Sequence, residues 1–226
     1  MTRARKEAAQ GTTSVRFFES RDAVEVLDTL HTRSVNYQAD GREITPENGW
    51  TVESDRTALP SESPGEPVPG GPWEIARGLI ERYEFADPSI IRAVYHPEHA
   101  LQDRDMLLEG RFYGLRFLIG VRIVGVVDTL REVDGRAVRS WGWCYRTLEG
   151  HLERGEMTFQ VRKWLDTGDV EFRIDRYFMR GPMPNPVIRL GWAVFGHWMQ
   201  VRFVRRSLRR MTDLVTAELR RRGATG

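Results

Sequence analysis

Over residues 115–176 the apolar and polar residues alternate, block after block, with a period of two. Leu115, Phe117, Ile119, Val121, Ile123 and Val127 alternate with Arg116, Gly120, Arg122 and Val126. An extended chain points successive side chains to opposite faces, so 115–127 reads as a long antiparallel strand with one buried face. Asp134-Gly135 follows, and both residues tolerate the positive φ of a two-residue hairpin turn. The returning strand carries Trp141, Trp143 and Tyr145 on one face. The next, over 156–165, turns Met157, Phe159 and Val161 inward and Thr158, Gln160 and Arg162 outward. After a turn at 166–169, Val170, Phe172, Ile174 and Arg176 alternate with Glu171, Arg173 and Asp175. The pattern is a meander of at least four or five antiparallel strands. Its apolar face has to be covered.

The end of the chain supplies a cover. From 187 to about 222 the period becomes helical, giving ~36 residues and ~54 Å at the usual rise per residue. Leu190, Val194, Trp198, Val201, Leu208, Met211 and Val215 fall near one stripe. Gly191 and Gly196 weaken the helix near its start. Shorter helices are expected earlier. One starts at Ser20 as N-cap and runs to Leu30, with Val24, Leu27 and Leu30 on one face. Another starts at Pro72 and runs to about Phe85, with Trp73, Ala76, Ile80 and Tyr83 on one side. These are expected to close the rest of the apolar face. Short strands are expected at 15–18 and within 49–59, and 89–95 fits helix or strand. The Pro/Gly-rich stretch 60–72 excludes helix and central strand. It reads as a long loop, because the segment before it is too poor in apolar residues to fold alone. The expected organisation is a disordered 1–13 and one domain over 14–222. The fold class is α+β, a curved antiparallel sheet wrapped around a long C-terminal helix. Such a helix-grip arrangement can leave a cavity between sheet and helix.

At 226 residues the chain is long enough to bury a sizeable core. Its one cysteine, Cys144, excludes an internal disulfide and a multi-thiol metal site, which fits a reducing, cytoplasmic setting. No apolar run follows the N-terminus, so no secretory signal is expected. Arg189, His197, Gln200 and Arg202 interrupt the longest apolar-rich stretch and make it a poor membrane span. The net charge of +2 is uneven. Residues 1–100 hold 11 Lys/Arg and 17 Asp/Glu, a net of −6, and 184–226 hold 9 Arg and 2 acids, a net of +7. Arg205-Arg206 and Arg209-Arg210 repeat every four residues and form one basic stripe. The first reading of that stripe is a solvated face paired with the acidic N-terminal half. Contact with nucleic acid or an anionic membrane is the alternative.

Three residues in the 147–156 loop are candidates for chemistry. His151 and Glu153 point the same way on an extended strand, and Glu156 can rejoin them through a kink at Gly155. An imidazole beside a carboxylate is an acid–base pair, and the three together resemble part of a divalent metal site. The structural alternative is that His151 caps a loop while the glutamates pair with Arg146, Arg154 or Arg162. Cys144 faces away from Trp143 and Tyr145, in a setting that keeps a thiol protonated and inert. Trp141, Trp143, Tyr145, Trp164, Trp192 and Trp198 either line a cavity or fill a core. No Gly-rich phosphate loop, nucleophile elbow or zinc-binding cysteine set is present. No metal and no cofactor is expected.

Thr147-Leu148-x-Gly150-His151-x-Glu153-x-Gly155-Glu156, followed by Phe159 and Val161, resembles the signature of the domain of unknown function (DUF) 1990 family of bacteria and plants. Trp141-Gly142-Trp143-Cys144-Tyr145 sits where that family has an aromatic strand. Gln200, Phe203, Arg205 and Arg206 are similar to its closing helix. The resemblance spans about residues 72–216. Glu149 and Leu152 stand where the family usually has Pro. Met179-Arg180-Gly181 stands in place of Ser-Arg-Pro, so no role for that Ser carries over. The family is similar to the START and Bet v 1-like helix-grip proteins, which commonly enclose apolar ligands. The resemblance therefore implies a bacterial, cytoplasmic protein that holds a small apolar or amphipathic molecule between sheet and helix. Trp141, Trp143, Tyr145, His151, Trp192 and Trp198 are the expected contacts. An enzyme using His151 with Glu153 or Glu156 is one alternative, and an interaction module using the Arg stripe is another. Ligand identity and oligomeric state stay open.

Overall fold

The computed structural model describes residues 20–38, 43–112, 115–181 and 186–224; within these, the side chains of 20–22, 112, 115, 116, 186–195 and 197 are not described. The strand expected at 15–18 and the disorder expected at 1–13 lie outside the described residues.

Seven strands form one antiparallel sheet: β1 (Thr51–Leu59), β2 (Ile91–Val94), β3 (Asp105–Phe112), β4 (Leu115–Val133), β5 (Arg136–Thr147), β6 (Glu153–Trp164) and β7 (Val170–Arg180). Their order is β1-β7-β6-β5-β4-β3-β2, so β2 to β7 run as a meander and β1 joins the far edge beside β7. The turn between β4 and β5 is the expected one, with Asp134 at φ 51 and Gly135 at φ 76. The inward set of β7 is buried as its alternation requires: Val170, Phe172, Ile174 and Arg176.

The helices α1 (Ser20–Thr29), α2 (Pro72–Glu81) and α3 (Pro186–Gly223) complete the fold. α2 and α3 pack on each other and against the inner face of the curved sheet. This is the helix-grip architecture. α2 starts at Pro72, which needs no backbone N–H there. It ends at Glu81 rather than near Phe85. The backbone turns left-handed at Tyr83 (φ 60), which swings Tyr83 and Phe85 into the core. There Phe85 lies 4.6 Å from Phe159 and 5.3 Å from Phe172, centroid to centroid.

Three expectations change. First, α1 does not help to close the inner face. Ala23, Leu27 and Leu30 form a separate cluster with Leu107 and Leu148 on the outer face, and Val24 is 45% exposed. Gly120 makes room for it, because a Cβ there would lie 2.7 Å from Leu30 Cδ2. Second, β4 carries a bulge between Ile123 and Gly125. The extra residue shifts the phase, so Val127, expected inward, pairs with Gly142, and Val126 pairs with Trp143. Third, the expected α3 stripe holds at Leu208, Met211 and Val215, but before them Phe203, Val204 and Ser207 are buried instead of Trp198 and Val201; Trp198 is 46% exposed. The side chains of Leu190 and Val194 are outside the described set.

The Pro/Gly-rich stretch is tied to the sheet. Lys163 continues the inward register of β6 beyond Val161, and its ammonium is fully buried. It donates to Glu62 Oε1 at 2.7 Å and to the carbonyls of Ser63 and Glu66, each at 2.9 Å. All three of its N–H groups are therefore used. Among the described residues, no helix is long and apolar enough to cross a membrane.

Candidate functional site

A partly open pocket of about 100 Å³ lies between the inner face of the sheet and α3. Its walls are apolar: Ile90, Ile91, Leu108, Phe117, Ile119, Met157, Met199 and Phe203. Tyr145, His151, Glu153 and Gln200 form a polar end.

His151 reaches the pocket because the chain turns at Gly150 (φ 88) before β6 begins at Glu153. Its Nδ1 accepts a hydrogen bond from the Glu153 backbone N–H at 2.8 Å. An amide nitrogen can only donate, so Nδ1 carries no proton and the ring's hydrogen sits on Nε2. Burial pushes the imidazole pKa down to about 4, so the ring is neutral at neutral pH. The Glu153 carboxylate accepts from Gln200 Nε2 at 2.7 Å to Oε1 and 2.6 Å to Oε2. Glu153 thus fixes the imidazole with its main chain and a helix amide with its side chain. The Tyr145 hydroxyl lies 3.6 Å from Met157 Sδ. Burial, with the Glu153 charge adding to it, raises this phenol's pKa well above the ordinary range.

Glu156 does not join this group. Strand parity in β6 places Glu153, Met157 and Phe159 on the inner face and Glu156 on the outer one. There Glu156 Oε2 accepts from Arg146 Nε and from the Tyr177 hydroxyl, both at 2.8 Å. Tyr177 in turn accepts from the Tyr37 hydroxyl at 3.2 Å. The expected kink at Gly155 does not occur, because Gly155 keeps its register opposite Phe178. The three-residue site therefore splits across the sheet. Among the described residues, no group of three or more His, Cys, Asp or Glu is placed to hold a metal ion. Nor does a carboxylate orient the imidazole; the backbone amide does that, and a base with its pKa near 4 accepts protons weakly at neutral pH. Cys144 also faces outward, where burial and Glu156 push its thiol up to about 12.

Of the expected aromatic contacts whose side chains are described, only Tyr145 lines the pocket. Trp143 is fully buried in a filled core, 5.1 Å from Phe159, with Nε1 donating to the Ile80 carbonyl at 3.1 Å. Trp141 is buried beneath the Arg77 guanidinium, 5.1 Å from it. Trp164 stands on the outer face of β6, 5.9 Å from Arg136. Trp198 points away from the core, with Arg202 5.3 Å from its ring. Trp192 is on α3, and its side chain lies outside the described set. The pocket takes Gln200 and Phe203 instead, at helical spacing on the covering face. A polar Gln within an apolar stripe is the signal that marks the first. Ile90 and Ile91 lie where the sequence read either way, and β2 turns out to be a strand.

The Arg stripe is largely exposed, but not all of it is unpartnered. Arg210 Nε donates to the Glu84 carbonyl at 2.9 Å. Arg206 and Arg210 both help to lower the Asp87 pKa, after the hydrogen bond from Ser89.

Among solved structures, the chain is similar to Ara h 8.0201, at 9% identity and TM-score 0.43 over 75% of this chain and 99% of that one. It is similar to a hypothetical protein of Helicobacter pylori, at 12% identity and TM-score 0.42 over 81% and 96%. It is also similar to the major latex-like protein 151 of Panax ginseng, at 12% identity and TM-score 0.40 over 73% and 97%. Likeness of this kind carries no function with it. No curated protein matches the sequence. The profile of the domain of unknown function family DUF1990 matches residues 33–210, most of the chain, and the protein belongs to that family.

Proposed function

We propose that this protein binds a small apolar or amphipathic molecule in the pocket between the sheet and α3. The observation that carries the proposal is the composition of that one pocket. Eight apolar side chains form its walls, and four polar ones converge at one end. Ligand sites are built in this way, with apolar walls for affinity and a few polar groups for orientation. Its volume of about 100 Å³ is below the ~150 Å³ of an apolar cavity that takes benzene. The pocket therefore holds a small molecule, or the end of a larger one that extends through the open side.

The geometry supports binding better than acid–base catalysis. His151 is neutral and positioned by a backbone amide, and Glu153 is held by Gln200. Both are arranged as fixed hydrogen-bonding groups. Native mass spectrometry of gently purified protein tests the proposal. The expected result is an adduct mass, or uptake of an apolar compound from a lipid and metabolite panel. A bare chain mass with no uptake from the panel rejects it.

A further inference from the structure

A second pocket, of about 400 Å³, opens on the outer face of the sheet and shares no residue with the first. Tyr37, Trp50 and Met179 form its apolar wall, and Glu43, Asn48 and Arg154 border it. Tyr37 and Trp50 meet edge to face at 5.4 Å, and Trp50 meets Tyr177 of β7 at 5.7 Å, which braces the wall against the sheet. Arg154 reaches this face by strand parity, opposite Met179. Three other arginines of that face each have an acceptor: Arg146 donates to Glu156, Arg162 to Gln160 and Arg173 to Asp175. Arg154 donates to nothing among the described residues, and its Nε is buried without a hydrogen-bond partner. Glu156, the next residue of the same parity, is already taken by Arg146 and Tyr177. A buried cationic N–H without an acceptor is costly, and an anion in the pocket would supply one.

We infer that this outer pocket binds a small molecule with an oxyanion head, a carboxylate or a phosphate, held by the Arg154 guanidinium, with a flat apolar body against Tyr37, Trp50 and Met179. A guanidinium presents its N–H groups as a planar fork that matches the oxygens of either head. Glu43 borders the same pocket, so the charged head belongs at Arg154 and the uncharged body along the aromatic wall. The site is independent of the pocket between the sheet and α3, which lies on the other face of the sheet.

The test titrates benzoate, phenyl phosphate, inorganic phosphate and benzyl alcohol into the full-length protein at pH 7.5, followed by NMR. The Arg154 Nε–H and Trp50 indole N–H signals report on the outer pocket, and the His151 and Phe203 signals on the inner one. At least one of benzoate and phenyl phosphate is expected to move both outer signals and to bind roughly tenfold or more tighter than benzyl alcohol, about the effect of a charge-assisted hydrogen bond. The tighter of the two identifies the head as carboxylate or phosphate. Inorganic phosphate, which has no body to lay on the wall, is expected to bind more weakly than phenyl phosphate. Arg154→Gln, read at Trp50, should remove the preference for the anion over benzyl alcohol, and Arg154→Lys, which keeps the charge without the fork, should restore only part of it. Benzyl alcohol binding as tightly as both aromatic anions, or inorganic phosphate as tightly as phenyl phosphate, overturns the inference. So does an Arg154 Nε–H signal that neither anion moves. Shifts confined to His151 and Phe203 overturn it while supporting the pocket between sheet and α3; shifts confined to Arg154 and Trp50 support it whatever becomes of that pocket.

Discussion

Removing the Lys163 amine should show how strongly the 60–71 loop is fixed to the sheet. The Lys163 ammonium is fully buried and Glu62 is 4% exposed. Glu62 also accepts from the amides of Val68 at 3.1 Å and Trp73 at 3.4 Å, so one carboxylate joins β6, the loop and the start of α2. Lys163→Met keeps most of the stem's packing and removes the charge. The Glu62 carboxylate then stays buried without its cation, and the Ser63 and Glu66 carbonyls lose a donor. Removing one partner of a buried pair costs about 3–5 kcal/mol. For a chain of this length each kcal/mol is worth about 2–4 °C, so the melting temperature should fall by about 6–20 °C. Glu62→Gln should fall within the same range. The double variant leaves no buried charge, so it should be more stable than the sum of the single losses by about 1–3 kcal/mol. Urea denaturation followed by circular dichroism measures all four proteins. Limited proteolysis should find the loop cut faster in both single variants. If both singles stay within about 1 kcal/mol of the parent and the double is additive, the pair does not hold the loop and the reasoning fails.

Other perturbations bear on other parts of the molecule. His151 should titrate by NMR with a midpoint well below the free value, near 4; a midpoint near 6.5 would mean that the ring is not buried as described. Its folded pKa is depressed, so the unfolded chain binds more protons between about pH 6.5 and 4, and stability falls as pH drops through that window. The residue as a whole is half-buried, so with solvent screening the loss is on the order of 2 kcal/mol, and it should be absent in His151→Gln. Cys144 should resist iodoacetamide at pH 8 in the native protein and react in urea, because its pKa is pushed up to about 12; fast native labelling would contradict its burial. Gly142→Ala should lower stability by about 3 kcal/mol or more. A Cβ there would overlap the Phe159 carbonyl and lie 2.8 Å from Gln160 Cα, so a melting temperature near the parent's would show that β5 and β6 can separate.

Much of the sheet was legible because its physics is local. The alternation of 170–176 and the pair Asp134-Gly135 each specify backbone geometry without help from the rest of the chain. The failures are non-local. The expected stripe of Val24, Leu27 and Leu30 says that α1 packs on something, but an apolar stripe does not say which face of a sheet it meets. The bulge after Ile123 depends on which residue of β5 lies opposite, and no pattern within β4 fixes that. Lys163 falls at an inward position of β6, which period two alone does not explain for a charged residue. Its meaning lies in Glu62, 101 positions earlier, and in two loop carbonyls.

The candidate site shows the same division in one short segment. His151, Glu153 and Glu156 are close in sequence, and that closeness suggested a joint site. On a strand, side chains three positions apart stand on opposite faces, and nothing at Gly155 breaks the register. Glu156 therefore belongs to an outer network with Arg146, Tyr177 and Tyr37, and Glu153 to the pocket. The residue that completes the inner set is Gln200, which the sheet cannot supply and the covering helix can. A helix-grip fold builds its polar pocket groups where strand and helix meet. The residues that act together there are those with the right parity on β6 and the right helical phase on α3, wherever they fall in the sequence.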